Sequence, residues 1–559
     1  MSTERIPIAN LPHTTKLFRD FLAMGDGDAR SSLRQWYGAG PLGSAWMHPP
    51  QPAATSTNAA ALADALESQS RAFGAGPATL ANIAKLRAGA RAVVTGQQVV
   101  LLGGPLLTLL KASTAVARAK QATAETGVEH VPIFWLATED HDYEEVDQVS
   151  LLSKSSVETL RLGAEPAQNT APMGSVVLPE SIDALLDQAS ELLHHAPLCD
   201  LLRECYVYHP ANNTGPTFAT AIGRLMTRLF AEQGLIVMDA SCRDFHKLGV
   251  STLRYAIEHA EELEAALLER KAELEAAGYH AQVLVKPGAS LLFLIGEIDG
   301  SQSRQALHRL PDGSWQAGAG NSATSYSTAE LLAILDSAPE RFSPNVLLRA
   351  VFQDTILPTT AYIGGPAEVA YFAQSAVIYQ LILGRITPIL PRLSATLIEP
   401  AIGAMMAQHQ VGLLDAMLPV EEFAQRLAAR ALPIEAKRRL ADADNALNKA
   451  LAAAQEYLSG LDASLGRTAE VSASKMRYQM DRMRRLAATT EMQREASLRK
   501  HAEAMTLHLF PNGQLQERVL AGVWFLAAWE SDHGDCAGLI ARLVEEAASQ
   551  QPGHLVIRL

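Results

Sequence analysis

Two apolar runs with β-branched residues, Ala92–Thr95 and Val131–Ala137, each end in a burst of polar side chains. Such runs suit strands buried on both faces of a parallel sheet. Between them, Pro105 to Glu125 predicts a helix. Pro105 fits the first helical position, and Leu106, Leu107 and Leu110 share one side. Strand, glycine-containing loop, helix and strand make one βαβ unit. In open α/β sheets, ligands sit beyond the carboxyl ends of the strands. Both polar clusters fall at that edge: Thr95-Gly96-Gln97-Gln98 after the first strand and Thr138-Glu139-Asp140-His141-Asp142 after the second.

The remaining chain, 559 residues in all, has room for about three to four domains of ~150 residues. Leu235–Asp239, Ala361–Ile363 and Pro388–Leu393 read as further core strands, separated by long stretches of different character. The core is therefore assembled from discontinuous pieces. We divide the chain into a helical lead-in (1–90), a first core half (91–148), an insertion with some β structure (149–202) and a core continuation (203–277). A second insertion (278–340), a second core half (341–412), a coiled coil (413–509) and a helical tail (510–559) follow. Ser181–Leu202 and Lys247–Ala277 read as single helices. Gln282–Val285, Leu291–Ile298 and Ser314-Trp315 read as a β-meander. In the coiled coil, Leu440, Leu447, Leu451, Leu458, Leu461 and Leu465 recur at heptad-like steps, and Met476, Met480 and Met483 continue them. Gly466 interrupts the pattern, which predicts an antiparallel helical hairpin.

Composition excludes several classes. The four cysteines (Cys199, Cys205, Cys242, Cys536) form no CxxC pair, which argues against structural zinc and disulfides and for a reducing cytoplasm. No signal peptide opens the chain, and its apolar runs stop short of the ~20 residues a membrane span needs. With 47 basic against 60 acidic residues the net charge is −13, and no Lys/Arg tract is interleaved with aromatics. Neither a nucleic acid nor a membrane is the expected partner.

Three places carry candidate chemistry. Gly96, Gly103 and Gly104 lie between a strand and a helix N-terminus, where an anion or a plain tight turn fits equally well. No GK[ST] follows, so this is not a Walker A loop. Thr95, Gln97 and Gln98 add polar groups, and Lys111 is either a ligand contact or a solvated lysine. The Glu139-Asp140-His141-Asp142 run is sharper, since four ionisable groups follow a fully apolar strand. Asp140 and Asp142 could hold Mg²⁺. His141, flanked by acids, is expected to hold its proton more firmly than a free imidazole. Glu144, Glu145 and Asp147 fit an ordinary acidic first turn of a helix. Asn345 and Arg349 flank a turn, while Tyr362, Gly364, Gly365 and Glu368 form another strand–glycine–helix junction. Arg392 follows a short strand, and strand-end arginines suit carboxylates.

At VVTGQQ (93–98), FWLATEDHDYEEVDQV (134–149), FSPNVLLR (342–349), TAYIGGPAEVAYFAQ (360–374), PRLS (391–394) and LFPNGQLQERV (509–519) the chain resembles the bacillithiol biosynthesis cysteine-adding enzymes. The resemblance implies an α/β fold: a Rossmann-like parallel-sheet core with connecting-peptide insertions and an α-helical antiparallel coiled-coil domain, assembled as a homodimer. It also implies the final step of bacillithiol synthesis, in which the cysteine carboxyl is joined to the amine of glucosaminyl-malate. The chain departs after TGQQ. Val99-Val100 stand where the family usually has Pro-Gly, and the family's tyrosine is missing from Gly103-Gly104-Pro105-Leu106-Leu107-Thr108.

Amide formation in water needs an activated acyl group, so ATP with Mg²⁺ is the expected source, through a cysteinyl adenylate or acyl phosphate. On this reading the Gly96–Gly104 turn receives phosphate, Asp140 and Asp142 place Mg²⁺, and Glu139 or His141 takes the amine proton. Arg349 or Arg392 holds the malate carboxylates. The alternatives are a nucleotidyl or aminoacyl transferase acting on another small amine, and a non-catalytic coiled-coil scaffold.

Overall fold

The computed structural model describes residues 4–25, 32–48, 58–163, 170–207, 215–298, 301–318, 323–494, 496–549 and 553–559. At its centre, strand β1 (Arg91–Gln98) leads through helix α1 (Leu107–Thr126) to strand β2 (His130–Ala137). Strand β3 (Ile236–Asp239), helix α2 (Arg243–Glu258), helix α3 (Val346–Ile356), strand β4 (Thr359–Gly364), helix α4 (Pro366–Leu383) and strand β5 (Ile389–Pro391) follow. The five strands pair in parallel in the order β5-β4-β1-β2-β3. The chain builds outward from β1 on one side and then crosses back to build on the other. This is the Rossmann-like order, with its switch point between β1 and β4. Residues along the strands alternate between two cores: Ile133 and Trp135 pack with Phe352 and Phe372, whereas Phe134 and Leu136 pack with Leu109 and Leu110. That double burial is why the strands read as unbroken apolar runs.

Several local expectations are corrected by tertiary partners. Helix α1 starts at Leu107, not Pro105. Pro105 instead bridges to Ala521, and the Leu106 N–H donates to the Leu520 carbonyl at 2.8 Å. Gln282–Val285 is not a strand, because the Gln374 side chain satisfies both backbone groups of Val283 (2.8 and 2.9 Å). The second insertion is an antiparallel sheet of Ala289–Ile298, Ser301–Arg309, Trp315–Ala317 and Thr324–Tyr326, extended by Phe342–Pro344. The single helix expected over Lys247–Ala277 is two, broken at His259, and Ser181–Leu202 divides around Pro197. The first insertion holds the antiparallel pair Gln148–Leu152 and Val157–Arg161, and its residues 164–169 lie outside the described residues.

Beyond β5, strand β6 (Ser394–Ile398) begins a second region. Helices α5 (Ile434–Leu461) and α6 (Ala463–Arg494) run antiparallel, tied across by Arg484–Asp444 at 2.9 Å and Arg477–Asn448 at 3.3 Å. Their turn is at Asp462, whose carboxylate accepts the Ser464 N–H, and not at Gly466. Gly466 lies inside α6, where a Cβ would come within 2.5 Å of Ser459 Oγ, so its role is close packing of the two arms. The apolar seam is narrower than the heptad pattern implies. Leu451 and Met480 are buried, while Leu461, Leu465, Met476 and Met483 stay 45–59% exposed. Helix α7 (Ala496–Leu509) returns to the body. The tail is not wholly helical: strand β7 (His554–Arg558) pairs in parallel with β6 and antiparallel with Glu4–Ile6, so both ends of the chain share one small sheet. Among the described residues no helix is long and apolar enough to cross a membrane.

A buried polar knot joins the two regions. Glu517 accepts from Arg392 Nη2 (2.6 Å), the Ala395 N–H (2.8 Å) and Ser394 Oγ (3.1 Å). Burial is the largest influence and opposes ionisation of Glu517, but Arg392, His554 and the Ala395 N–H together outweigh it and hold the carboxyl below its ordinary value. We predict that Glu517→Gln, which leaves Arg392 buried without its counter-charge, costs about 3–5 kcal/mol in urea unfolding at pH 7. A carboxyl depressed in the fold stabilises above its unfolded pKa of about 4.3 and loses that contribution as pH falls through the folded value. The gap between wild type and variant should therefore shrink as unfolding is repeated toward pH 3. A constant gap would show that the ion pair is not its source.

Candidate functional site

The carboxyl edge of the sheet opens into a cavity of about 780 Å³. Its floor is the switch point. Gly96 sits so close to β2 that a Cβ would lie 2.9 Å from the Trp135 carbonyl oxygen, which explains glycine there. Lys111, in the second turn of α1, is buried rather than solvated. Its Nζ donates to the Gly96 carbonyl (2.8 Å) and Gln97 Oε1 (3.0 Å), and it pairs with Glu368 Oε2 at 2.6 Å. Glu368 also accepts the Gly365 N–H (2.7 Å) and the Tyr362 hydroxyl (2.8 Å). Burial works against its charge, yet Lys111 and these donors hold it below the ordinary carboxylate range. The pair thus bridges β1, α1 and α4 across the switch point.

The acidic run after β2 forms one wall. Glu139 Oε1 lies 3.0 Å from Nε2 of His246, a fully buried side chain from α2. His246 Nε2 is also 3.1 Å from the Phe342 carbonyl, and Nδ1 is 3.3 Å from the Cys242 carbonyl. Every one of these neighbours is an acceptor, an arrangement that favours protons on the ring nitrogens. Burial alone would lower its pKa; Glu139 and the two carbonyls raise it instead. The Nε2–H serves the carbonyl, and Glu139 Oε1 is left without an aligned donor.

His141 behaves oppositely to expectation. Burial first, and the Arg304 guanidinium second, hold it below the ordinary imidazole value; Asp140 and Asp142 pull the other way and are outweighed. Arg304 Nη1 donates to His141 Nδ1 at 3.0 Å, which leaves the proton of the neutral ring on Nε2. Arg304 also donates to Ser343 Oγ and the Pro344 carbonyl, approaches Asp140 at 3.5 Å, and lies 3.7 Å over the Phe293 ring. Both Arg304 and Phe293 come from the inserted antiparallel sheet, which roofs the cavity.

Gly96, Gln97, Gln98, Lys111, Glu139, Asp140, His141, Asn345, Arg349, Gly365, Glu368 and Arg392 all line this one cavity. Other candidates lie elsewhere. Thr95 donates to the Ile363 carbonyl inside the sheet, Tyr362 lies beneath Glu368, and Gly364 packs on Ile389. Gly103 and Gly104 do not reach the cavity. Their N–H groups bond Val100 and Leu101 carbonyls, and the Leu520–Ala521 segment plugs the start of α1. The turn therefore has no free cradle for phosphate. Asp142 is not in the lining, and among the described residues no group of three or more His, Cys, Asp or Glu is placed to hold a metal. Asp140 remains as a single carboxylate that a phosphate-borne Mg²⁺ could use. Asn345 caps α3 by accepting the Leu347 and Leu348 N–H groups. Arg392 spends Nη1 on the Leu393 carbonyl and Nη2 on Glu517. Arg349 Nη2 donates to the Tyr371 hydroxyl at 3.0 Å, while its buried Nη1 has no partner.

Glu145, assigned to an ordinary helix start, lines the cavity and accepts from Gln98. Trp135, Phe293, Arg304, Tyr371, His246 and Arg518 were not singled out from sequence. Arg304 sits in a strand without any local signature. Arg518 belongs to the LFPNGQLQERV motif, to which no role had been attached. We predict that Arg304→Gln moves the His141 titration midpoint up toward about 6.5, read by histidine C2–H exchange mass spectrometry. An unmoved midpoint would remove Arg304 as a cause.

The family model described as "Bacillithiol biosynthesis BshC, N-terminal Rossmann-like domain" matches residues 1–393, and "Bacillithiol biosynthesis BshC, C-terminal coiled-coil domain" matches 395–559. The step between them falls between β5 and β6. The chain is 41% identical over 568 residues to the Koribacter versatilis protein named "Putative cysteine ligase BshC", covering 100% of both chains. Proteins of the same name from Solibacter usitatus and Chloroherpeton thalassium are 34% and 31% identical, over 98% and 83% of each chain respectively.

Proposed function

The chain belongs to the BshC family of bacillithiol biosynthesis, and from that premise we propose that its cleft is a cysteine ligase site. The reaction joins the cysteine carboxyl to the amine of glucosaminyl-malate, the final step of the pathway. One observation carries this: a single cavity at the switch point sets an acidic wall (Glu139, Asp140, Glu145) against Arg349, whose buried Nη1 is unpartnered. The first attracts an amine and the second a carboxylate.

The amine must lose a proton to attack. Glu139, with no aligned donor on Oε1, accepts it. His141 presents an Nε2–H to the oxygen on which negative charge develops. Arg349 holds a malate carboxylate, and Trp135, Phe293 and Tyr371 keep water from the reacting groups. ATP supplies acyl activation when bound. Its phosphates do not use the Gly103-Gly104 turn, and no residue role above depends on them. The exposed Leu461, Leu465, Met476 and Met483 support a homodimer through the coiled coil. Sedimentation equilibrium should give twice the chain mass, and a variant with Met476→Glu and Met483→Glu half of that.

A mass-spectrometric assay with glucosaminyl-malate, cysteine, ATP and Mg²⁺ tests the reading. Bacillithiol should form only with ATP. Glu139→Gln should lower kcat by about 10²- to 10⁴-fold in a folded protein, and His141→Ala by about 10²-fold. Product without ATP would discard the nucleotide and keep the ligase; no product in any mixture would overturn both.

A further inference from the structure

Charge pairing around the cavity is almost complete. Lys111 is paired with Glu368 and Arg392 with Glu517, while Glu139 lies beside His246 and Arg304 lies against Asp140. Glu145 takes a hydrogen bond from Gln98. Two lining cations are left over among the described residues: Arg349, through its buried and unpartnered Nη1, and Arg518, whose side chain makes no hydrogen bond or ion pair. Arg349 belongs to the core. Arg518 comes from the short helix Gln516–Val519 of the other region.

The backbone carrying Arg518 is held firmly although its side chain is free. Gln516, two residues earlier, exchanges bonds with both backbone groups of Leu397 (2.8 and 2.9 Å) and donates to the His508 carbonyl at 2.7 Å. Glu517, its neighbour, is locked in the buried knot with Arg392. The sequence expectation gave the carboxylates to Arg349 or Arg392, but both terminal nitrogens of Arg392 are committed inside the protein. A fixed backbone limits where the guanidinium can reach, and a guanidinium with no partner in the protein has its whole donor fork open to a ligand anion.

We propose that Arg518 and Arg349, brought to one cavity from the two regions of the chain, form a two-guanidinium subsite for the dicarboxylate end of the acceptor substrate. The proposal rests on the ligase reading above. A dicarboxylate fits because each planar guanidinium can take one carboxylate, whereas the backbone N–H groups of the Gly103-Gly104 turn are already bonded. Arg518 is thus a specificity-determining residue, and an occupied site ties the C-terminal region to the core through the substrate.

The experiment uses the full chain, wild type, Arg518→Gln and Arg518→Lys, with titration calorimetry of L-malate and of ATP, and steady-state kinetics with glucosaminyl-malate. Arg518 is exposed, so the variants should fold as wild type. Arg518→Gln should weaken malate by about tenfold or more, leave ATP within about twofold, and raise KM for glucosaminyl-malate with kcat and the cysteine KM held. Arg518→Lys should recover part of the loss, since it keeps the charge without the fork. Malate affinity unchanged in Arg518→Gln, or absent in wild type, overturns the subsite. Loss of ATP affinity in place of malate affinity overturns the dicarboxylate assignment. The calorimetry needs no turnover, so an inactive wild type would count against the ligase reading while the malate titration still decides the subsite.

Discussion

The contact between Lys111 and Glu368 holds the site in its present form. The lysine is removed from water at the switch point and the glutamate largely so, and each favours the charged form of the other there. Their hydrogen bonds fix the Gly96 carbonyl, the Gln97 amide, the Gly365 N–H and the Tyr362 hydroxyl at once. The two halves of the core are thereby registered where the ligand cavity begins. Such a pair adds little net stability compared with apolar residues, but breaking it leaves an uncompensated buried charge. Its clearest consequence is positional: it sets where β1 ends relative to α4.

The parts inserted into the core finish what the sheet begins. The antiparallel sheet between α2 and α3 contributes Arg304 and Phe293 as a roof, and that arginine decides which nitrogen of His141 carries the proton. The C-terminal region contributes Arg518 to the lining, and its Glu517 occupies Arg392. It also blocks the start of α1 with Leu520 and Ala521. A cavity built from three separate stretches depends on all of them being docked. The buried knot of Arg392, Ser394, Gln516, Glu517 and His554 supplies that docking with matched hydrogen bonds.

Much of the architecture was legible in the chain because it has local causes. Double-sided burial writes unbroken apolar strands, and glycine scarcity with heptad spacing writes a coiled coil. The acidic run after β2 stood out for the same reason: polar groups directly after a buried strand must lie at the sheet edge. Expectations failed where a distant group intervened. The phosphate reading of Gly103-Gly104 failed because Leu520 fills the helix start, and the strand at Gln282–Val285 failed because Gln374 takes its hydrogen bonds. The acids beside His141 in sequence suggested a firmly held proton, whereas burial and Arg304 dominate in space.

The sequence by itself determined the strands of the core, the sheet edge at which the cavity lies, the acidic run, and the family to which these motifs point. Tertiary structure alone decided the charge state and pairing of each group at that edge. The physical reason is the range of the forces. Strand and helix patterns arise from residues a few positions apart, but a proton or an ion pair responds to every charge and every lost water within several ångströms. In this protein those neighbours come from positions hundreds of residues away, as Arg392, itself paired with Glu517, acts on Lys111 across the cavity.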